Sequence, residues 1–351
     1  MNGLSKMITT LGDILHRRVF FLVVLSYLLA GLLPGPGLAI KNASIPIWTT
    51  SHGALKASMP ALLLASLLLC AGLRVRSEQV RAILRRPTML LTALLANISV
   101  PVAFLMVLIP VLGLWHNHEE VATIAIGLAL VASMPVAGSS TGWAQHVGGD
   151  MALSLGLVLA STLVSPFSAP VTLGLLGSVS PASAATDLQV VANGQVGDFL
   201  LAWVLVPSLL GIIMRRLLPD RLTAALDRLL KPVATLILLA LCYINAAACL
   251  PQVLHNPDWD YLGTLALIVL GMCTVTFSTG FLLGKFLGAD IRQRAALVYG
   301  LGMNNNGTGL VLASVALSAR PAVMLPIIVY NLSQHLVAGC VGGRTVRQSR
   351  L

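Results

Sequence analysis

Apolar residues run along this chain in blocks of about 20, each long enough to cross a bilayer as one helix, with short polar stretches between them. Ten such blocks are predicted, over residues 19–39, 57–73, 88–113, 121–145, 151–177, 197–214, 232–250, 262–284, 294–318 and 322–341. Only "HVGGD", a tight turn, separates the fourth from the fifth. The Ser/Ala-rich stretch from Gly177 to Gly197 reads as a loop. It divides the chain into two sets of five blocks, 1–180 and 195–342, and a basic tail follows, 343–351. An odd number of crossings in the first set inverts the second relative to it. The expected fold class is an all-α polytopic membrane protein: ten transmembrane helices in two inverted five-helix repeats, with panel and core domains built from both.

The fourth and ninth blocks interrupt their own pattern. The fourth contains "MPVAGSSTGW", Met134 to Trp143; the ninth contains "GLGMNNNGTG", Gly300 to Gly309. Backbone groups in hydrocarbon must be paired, so irregular chain at that depth survives only inside protein or beside water. Gly and Ser also serve simple close packing of helices. Three consecutive asparagines do not fit that use, because neighbours on a helix point about 100° apart. Helices 4 and 9 are therefore expected to be discontinuous crossing helices. Their freed N–H ends favour anions, and their carbonyls and hydroxyls favour cations.

Composition supports the membrane assignment and changes how charge is read. Residues are 57% hydrophobic and 10% charged, against about 25% charged in soluble domains. The net charge of +10 would suggest nucleic acid in a soluble protein. Here the basic residues sit in alternate short loops, among them "RVRSEQVRAILRRP" and "RRLLPDRLTAALDRLLK". Positive residues stay on the cytoplasmic side. Both termini are thus expected in the cytoplasm, in a multi-pass protein of the cell (inner or plasma) membrane. Lipid is the expected partner, with no nucleic acid and no obligate protein partner. The five cysteines lie in apolar stretches without metal-ligand spacing and read as small buried hydrophobes. No phosphate-cradling loop of the Walker type occurs, so ATP does not drive this chain. No nucleophile, base or metal cluster is arranged at depth, so no enzyme is expected.

The residues of the two interruptions resemble the bile acid:sodium symporter family, within the wider bile acid/arsenite/riboflavin transporter group. The segment Met134–Pro166, with its Gly-Asp turn and "ST…SP" ending, resembles the family's first crossing helix and the helix after it. "RRP" at Arg85–Pro87, followed by Asn97 and "SVP", resembles its third span. "GMNNNGTGLVLASVAL" resembles the second crossing helix, where the family usually has Glu-x-Gly-x-Gln-Asn-x-x-Leu-Ala. "NLSQHLVAG" resembles the last span. The resemblance implies a secondary carrier of small organic anions, bile acid-like or carboxylate-like. It also implies sodium as the coupling ion and no other cofactor.

Carried over position by position, the resemblance implies an ion set of Ser140, Thr141, Ser154, Asn97, Gly300 and Asn304. Thr141 stands at a usual Asn, Val158 at a usual Thr, and Asn97 and Asn304 at usual Gln positions. Gly300 falls where the family has a bridging Glu. No Asp or Glu lies in the interior of a predicted span, so the usual counter-charge for a buried cation is missing. Ser139, Asn305, Asn306, Thr308, Asn245 and His335 are the candidate substrate residues, with Tyr243 a further cavity liner. Three alternatives stay open: an uncoupled carrier, a proton-coupled one using His335, or an arsenite-type exporter. The segment Met134–Trp143 lacks the cysteine the last would use. Other span hydroxyls, such as Ser161, Thr162, Thr274, Thr276 and Thr279, are expected to bond to their own helices.

Overall fold

The computed structural model describes residues 19–50, 53–75 and 87–348. The basic stretch 76–86, the arginines at 17 and 18 and the end of the tail lie outside the described residues. The helices are α1 (Val19–Leu32), α2 (Pro34–Asn42), α3 (Met59–Leu73), α4 (Pro87–Leu112), α5 (His118–Ser133), α6 (Ser139–His146) and α7 (Met151–Gly177). They continue as α8 (Ala182–Leu217), α9 (Asp220–Ala246), α10 (Leu250–His255), α11 (Trp259–Phe286), α12 (Ile291–Gly302), α13 (Asn306–Ala316) and α14 (Met324–Gln348). One antiparallel hairpin interrupts them, β1 (Ser44–Thr50) with β2 (Gly53–Ser58).

Six of these helices are long and apolar enough to span a bilayer, and α1 with α2 forms a bent seventh. The chain is an all-α polytopic membrane protein apart from the hairpin. Ten blocks were expected, and the shortfall has local causes. The first block bends by 92° at its middle, because Pro34 has no N–H and Pro36 and two glycines follow it. The Leu33 carbonyl at the bend accepts a hydrogen bond from the Tyr243 hydroxyl, 2.6 Å away. Block two is only the 15 residues of α3. Blocks four and nine are each cut into two short helices, as their polar interruptions require.

The expected loop 177–197 is mostly helix. From Ala182 the chain continues as the helix α8, through two π-helical turns at Val191–Gln195 and Leu201–Leu205. This places Asp187, in the expected loop, and Asp198, at the start of the expected sixth block, on one 36-residue apolar helix. Of the cysteines, Cys70, Cys242, Cys249 and Cys273 are buried as expected, but Cys340 is exposed.

The chain forms two compact units, each taking segments from both ends of the sequence. Among the described residues, the first holds 19–50, 53–75, 201–257 and 310–324; the second holds 87–200, 258–309 and 325–348. In the first unit α3 and the C-terminal part of α8 cross at glycines. A methyl on Gly72 would overlap the Ser208 carbonyl, and one on Gly211 the Leu69 carbonyl. Beside this crossing Arg215 holds Asp227 through two bonds of 2.7 and 3.0 Å and also donates to the Leu73 carbonyl. In a bilayer such small-residue contacts are a main source of helix association. Gly72→Val is therefore expected to lower the melting temperature measurably, by an overpacking penalty of roughly 1–3 kcal/mol. Dye-monitored unfolding in detergent checks this, and an unchanged melt would show that the helices part without penalty.

The second unit carries the two interruptions themselves, 134–138 and 303–305. Its helix starts are capped by side chains: Asn117 for α5, Asp150 for α7, Asp258 for α11, and Asp290 with Gln293 in a reciprocal pair for α12. The expected turn between the fourth and fifth blocks is present, with Gly148 at φ 72°, a conformation that glycine adopts without strain. α11 packs α12 closely because Gly280 leaves room for the Val298 backbone and Gly302 for the Phe277 ring.

Candidate functional site

The two interruptions lie side by side in the second unit. α5 stops at Ser133 because Pro135 offers no N–H to continue its ladder, and Met134 turns extended. α12 stops at Gly302, and Met303 turns extended in the same way. The two extended segments pair antiparallel through a bridge between Val136 and Asn304. Ala137 donates its N–H to the Met303 carbonyl at 2.9 Å, and Asn305 donates to the Pro135 carbonyl at 2.8 Å. Backbone groups freed by one break are thus partly satisfied by the other.

Antiparallel pairing fixes the polarity around the crossing. α6 begins beside the end of α12, and α13 begins beside the end of α5. Each positive amino end therefore sits next to a negative carboxyl end. The N–H groups of Gly138, Ser139 and Gly307 find no acceptor among the described residues. Gly138 and Ser139 are exposed, and Thr141 and Asn305 are half-buried.

Asn304 is the hub of this crossing, and it is buried. Its Nδ2 donates to the Val131 carbonyl at 3.0 Å, which fixes the amide's orientation. Its Oδ1 then accepts from Asn97 Nδ2 on α4 at 3.4 Å. Its main chain is held by Gln334 of α14: Asn304 N–H donates to Gln334 Oε1 at 3.1 Å, and Gln334 Nε2 donates to the Asn304 carbonyl at 3.3 Å. Gln334 also reaches Asn331 Oδ1. The sequence reading singled out His335 and passed over its neighbour. Gln334 could have been found, since an uncharged amide inside a span must find a partner there.

The other candidates divide by how their polar atoms are used. Ser140 and Ser154 are fully buried, and neither hydroxyl oxygen has a hydrogen-bond partner. Thr308 Oγ1 and both side-chain atoms of Asn306 are likewise buried and unpartnered, in the first turn of α13. Thr141 donates to the Gly138 carbonyl at 2.7 Å. Asn305 caps α13, its Oδ1 accepting from Thr308 N–H at 3.3 Å. His335 Nδ1 accepts from Trp143 Nε1 at 3.3 Å, so in this arrangement the ring is neutral with its proton on Nε2. Asn245 belongs to the first unit, where its Nδ2 donates to the Leu241 carbonyl at 2.9 Å. The span hydroxyls of Ser161, Thr162, Thr274, Thr276 and Thr279 all bond back to their own helices. Ser161 does more: its Oγ accepts the Val136 N–H at 3.0 Å, tying the first break to α7.

Gly300 has a specific neighbour. A methyl placed on it would lie 2.6 Å from Leu157 Cδ1 of α7. The leucine tip fills the room that a side chain at position 300 would need. The absence of a carboxylate there and the presence of Leu157 are therefore complementary features of one packing arrangement.

Such an assembly suits ion and anion chemistry better than covalent chemistry. It offers N–H groups without acceptors among the described residues, unpartnered buried oxygens, and a crossing held by amide pairs.

Residues 61–256 match the family described as the Sodium Bile acid symporter family. The chain is 28% identical over 216 residues to the Bacillus subtilis (strain 168) protein YbaS, covering 62% of this chain and 67% of that one. It is 25% identical over 309 residues to YocS of the same organism, described as a sodium-dependent transporter, covering 83% and 88%. It is 22% identical over 250 residues to YfeH of Escherichia coli (strain K12), covering 69% and 73%.

Proposed function

This chain belongs to the sodium bile acid symporter family, and from that premise we propose that it carries a small organic anion across the membrane, with sodium bound at an ion site of altered composition. The observation that carries the proposal is the antiparallel meeting of the two broken spans. It gathers the exposed amino end of α6 and the buried, unpartnered oxygens of Ser140 and Ser154 in one unit. A carboxylate suits the N–H groups of Gly138 and Ser139, as anions suit helix amino ends generally. Thr141 and Asn305 stand beside them as polar contacts. Sodium suits neutral oxygens, and the printed description of YocS as sodium-dependent supports that choice.

The bond between Trp143 and His335 weighs against the proton-coupled alternative, because an imidazolium would present a second donor to the indole N–H. Transport is proposed to occur in the cell membrane with both termini cytoplasmic, by alternating exposure of the crossing.

The test is uptake of radiolabelled small carboxylates into proteoliposomes, with and without an inward sodium gradient. Gly138→Ala sharpens it. The added methyl meets nothing within 4 Å, so folding and melting temperature should hold. The methyl would crowd the N–H groups an anion needs, so half-saturation should rise about tenfold, equivalent to about 1.4 kcal/mol. Normal uptake by Gly138→Ala would remove the α6 amino end from the substrate site.

A further inference from the structure

We propose that Trp143 and His335 are positioning residues for the anion site: the hydrogen bond between them sets the angle of α6 and so aims the Gly138 and Ser139 N–H groups. This rests on the carrier reading given above and names what holds its binding end in place.

α6 cannot orient itself. It has eight residues, and no side chain caps its start. Isolated helices shorter than about 12 residues are marginal, so its direction follows from what it packs against. Ser140 and Ala144 form its buried face, and Ala144 joins an apolar cluster with Val298, Tyr299, Met303 and Ala338. Side chains as small as a serine and an alanine let the helix pack closely but resist rotation about its axis only weakly. Trp143 lies on the neighbouring face, four residues after Ser139, so those two stand one above the other. Whatever holds Trp143 therefore holds the face that presents Ser139.

The indole is held on two sides. Its ring stacks on Tyr299 of α12, with centroids 6.2 Å apart and planes 17° from parallel. Tyr299 is itself fixed: Phe277 of α11 meets it edge-on at 6.3 Å, and its hydroxyl donates to the Ala338 carbonyl at 3.4 Å. A stack fixes the separation of two rings but lets them slide and turn in plane. The bond from Trp143 Nε1 to His335 Nδ1, 3.3 Å long, supplies the missing direction. His335 adjoins Gln334, which holds the main chain of Asn304. Neighbours on a helix point about 100° apart, so α14 can grip both breaks with two consecutive side chains. Gln334 takes the second break, and His335 takes the first through Trp143.

Uptake of radiolabelled cholate into proteoliposomes, with hydrogen–deuterium exchange on the same detergent-purified proteins, tests this. Trp143→Phe keeps a ring for the stack and removes the N–H. His335→Leu removes the acceptor, and His335→Asn restores one, because Asn carries Oδ1 on Cγ where His carries Nδ1. Trp143→Phe and His335→Leu should each raise half-saturation roughly tenfold, leave the maximal rate little changed, and speed exchange of the α6 amides. The double variant should be no worse than either single one, since both remove the same bond. His335→Asn should stay near wild type in both readouts. A purely structural role would instead lower the maximal rate through loss of folded carrier and leave half-saturation alone. Unchanged half-saturation and unchanged α6 exchange in Trp143→Phe would overturn the tie, as would a His335→Asn protein as impaired as His335→Leu. So would effects that multiply to about a hundredfold in the double variant, which would make His335 a separate substrate contact. A wild-type protein that takes up no cholate, while α6 exchange still responds to the variants, would overturn the bile acid-like carrier reading and leave the tie standing.

Discussion

Gln334→Ala is expected to be the most destabilising single substitution at the crossing. Removing this amide leaves the Asn304 N–H without its partner at 3.1 Å, while the carbonyl loses a bond of 3.3 Å but keeps the Asn306 N–H at 2.9 Å. Asn304 is 1% exposed, so water does not replace them. A buried polar group left unpaired, here the Asn304 N–H, costs roughly 1–3 kcal/mol. The extended segment at 303–305 would also lose its tie to α14, so uptake should fall to background. Gln334→Glu separates the two bonds. It keeps an acceptor for Asn304 N–H but faces the Asn304 carbonyl with an oxygen, so the loss should be smaller and should shrink at acid pH as the carboxyl takes up a proton and regains a donor. Dye-monitored melting and proteoliposome uptake on the same preparations measure both effects. A Gln334→Ala protein that melts and transports like wild type would mean that the break is held by other contacts.

Much of this organisation was legible from residue order. The two interrupted helices were expected from "MPVAGSSTGW" and "GLGMNNNGTG", because Pro, Gly and adjacent asparagines cannot be buried in an unbroken span without penalty. Back-bonding of the span hydroxyls followed from their chemistry. What periodicity could not show was pairing between distant segments. The Val136–Asn304 bridge joins residues far apart in sequence, and nothing local in either marks the other. Gln334 was missed for the same reason: its role depends on which backbone it faces. The Ser/Ala-rich stretch before Gly197 read as a loop because small polar residues are common in loops, yet they are tolerated equally well in a helix with neighbours to pack against. The bend at Leu33 and Pro34 was overlooked because a run of apolar residues hides a helix break when only hydropathy is followed. Gly300 illustrates a different limit. Its departure from the family pattern was visible, but its meaning required Leu157, whose side chain takes up the room.

Ser140→Ala combined with Ser154→Ala should separate stability from function more sharply than any other change. Each hydroxyl is fully buried and without a hydrogen-bond partner. An unsatisfied buried hydroxyl carries a desolvation penalty of roughly 1–3 kcal/mol, so replacing it with a methyl of similar size should be neutral or stabilising in sodium-free buffer. If these oxygens exist to hold an ion, the same change should weaken sodium binding and with it uptake, by about a hundredfold if each lost ligand contributes about 1.4 kcal/mol. The signature is therefore a melting temperature equal to or above wild type in choline, a much smaller sodium-induced rise, and near-background transport. Ser26→Ala is the control. Its hydroxyl is also buried but donates to the Leu22 carbonyl at 2.9 Å in the first unit, so its loss should leave uptake intact. A double variant that is markedly less stable in choline would mean that both hydroxyls have partners in the folded protein. One that transports normally with full sodium dependence would place the ion elsewhere. Only the combination of retained stability and lost coupling ties the unpartnered oxygens to ion binding, because a purely structural role predicts the two quantities to fall together.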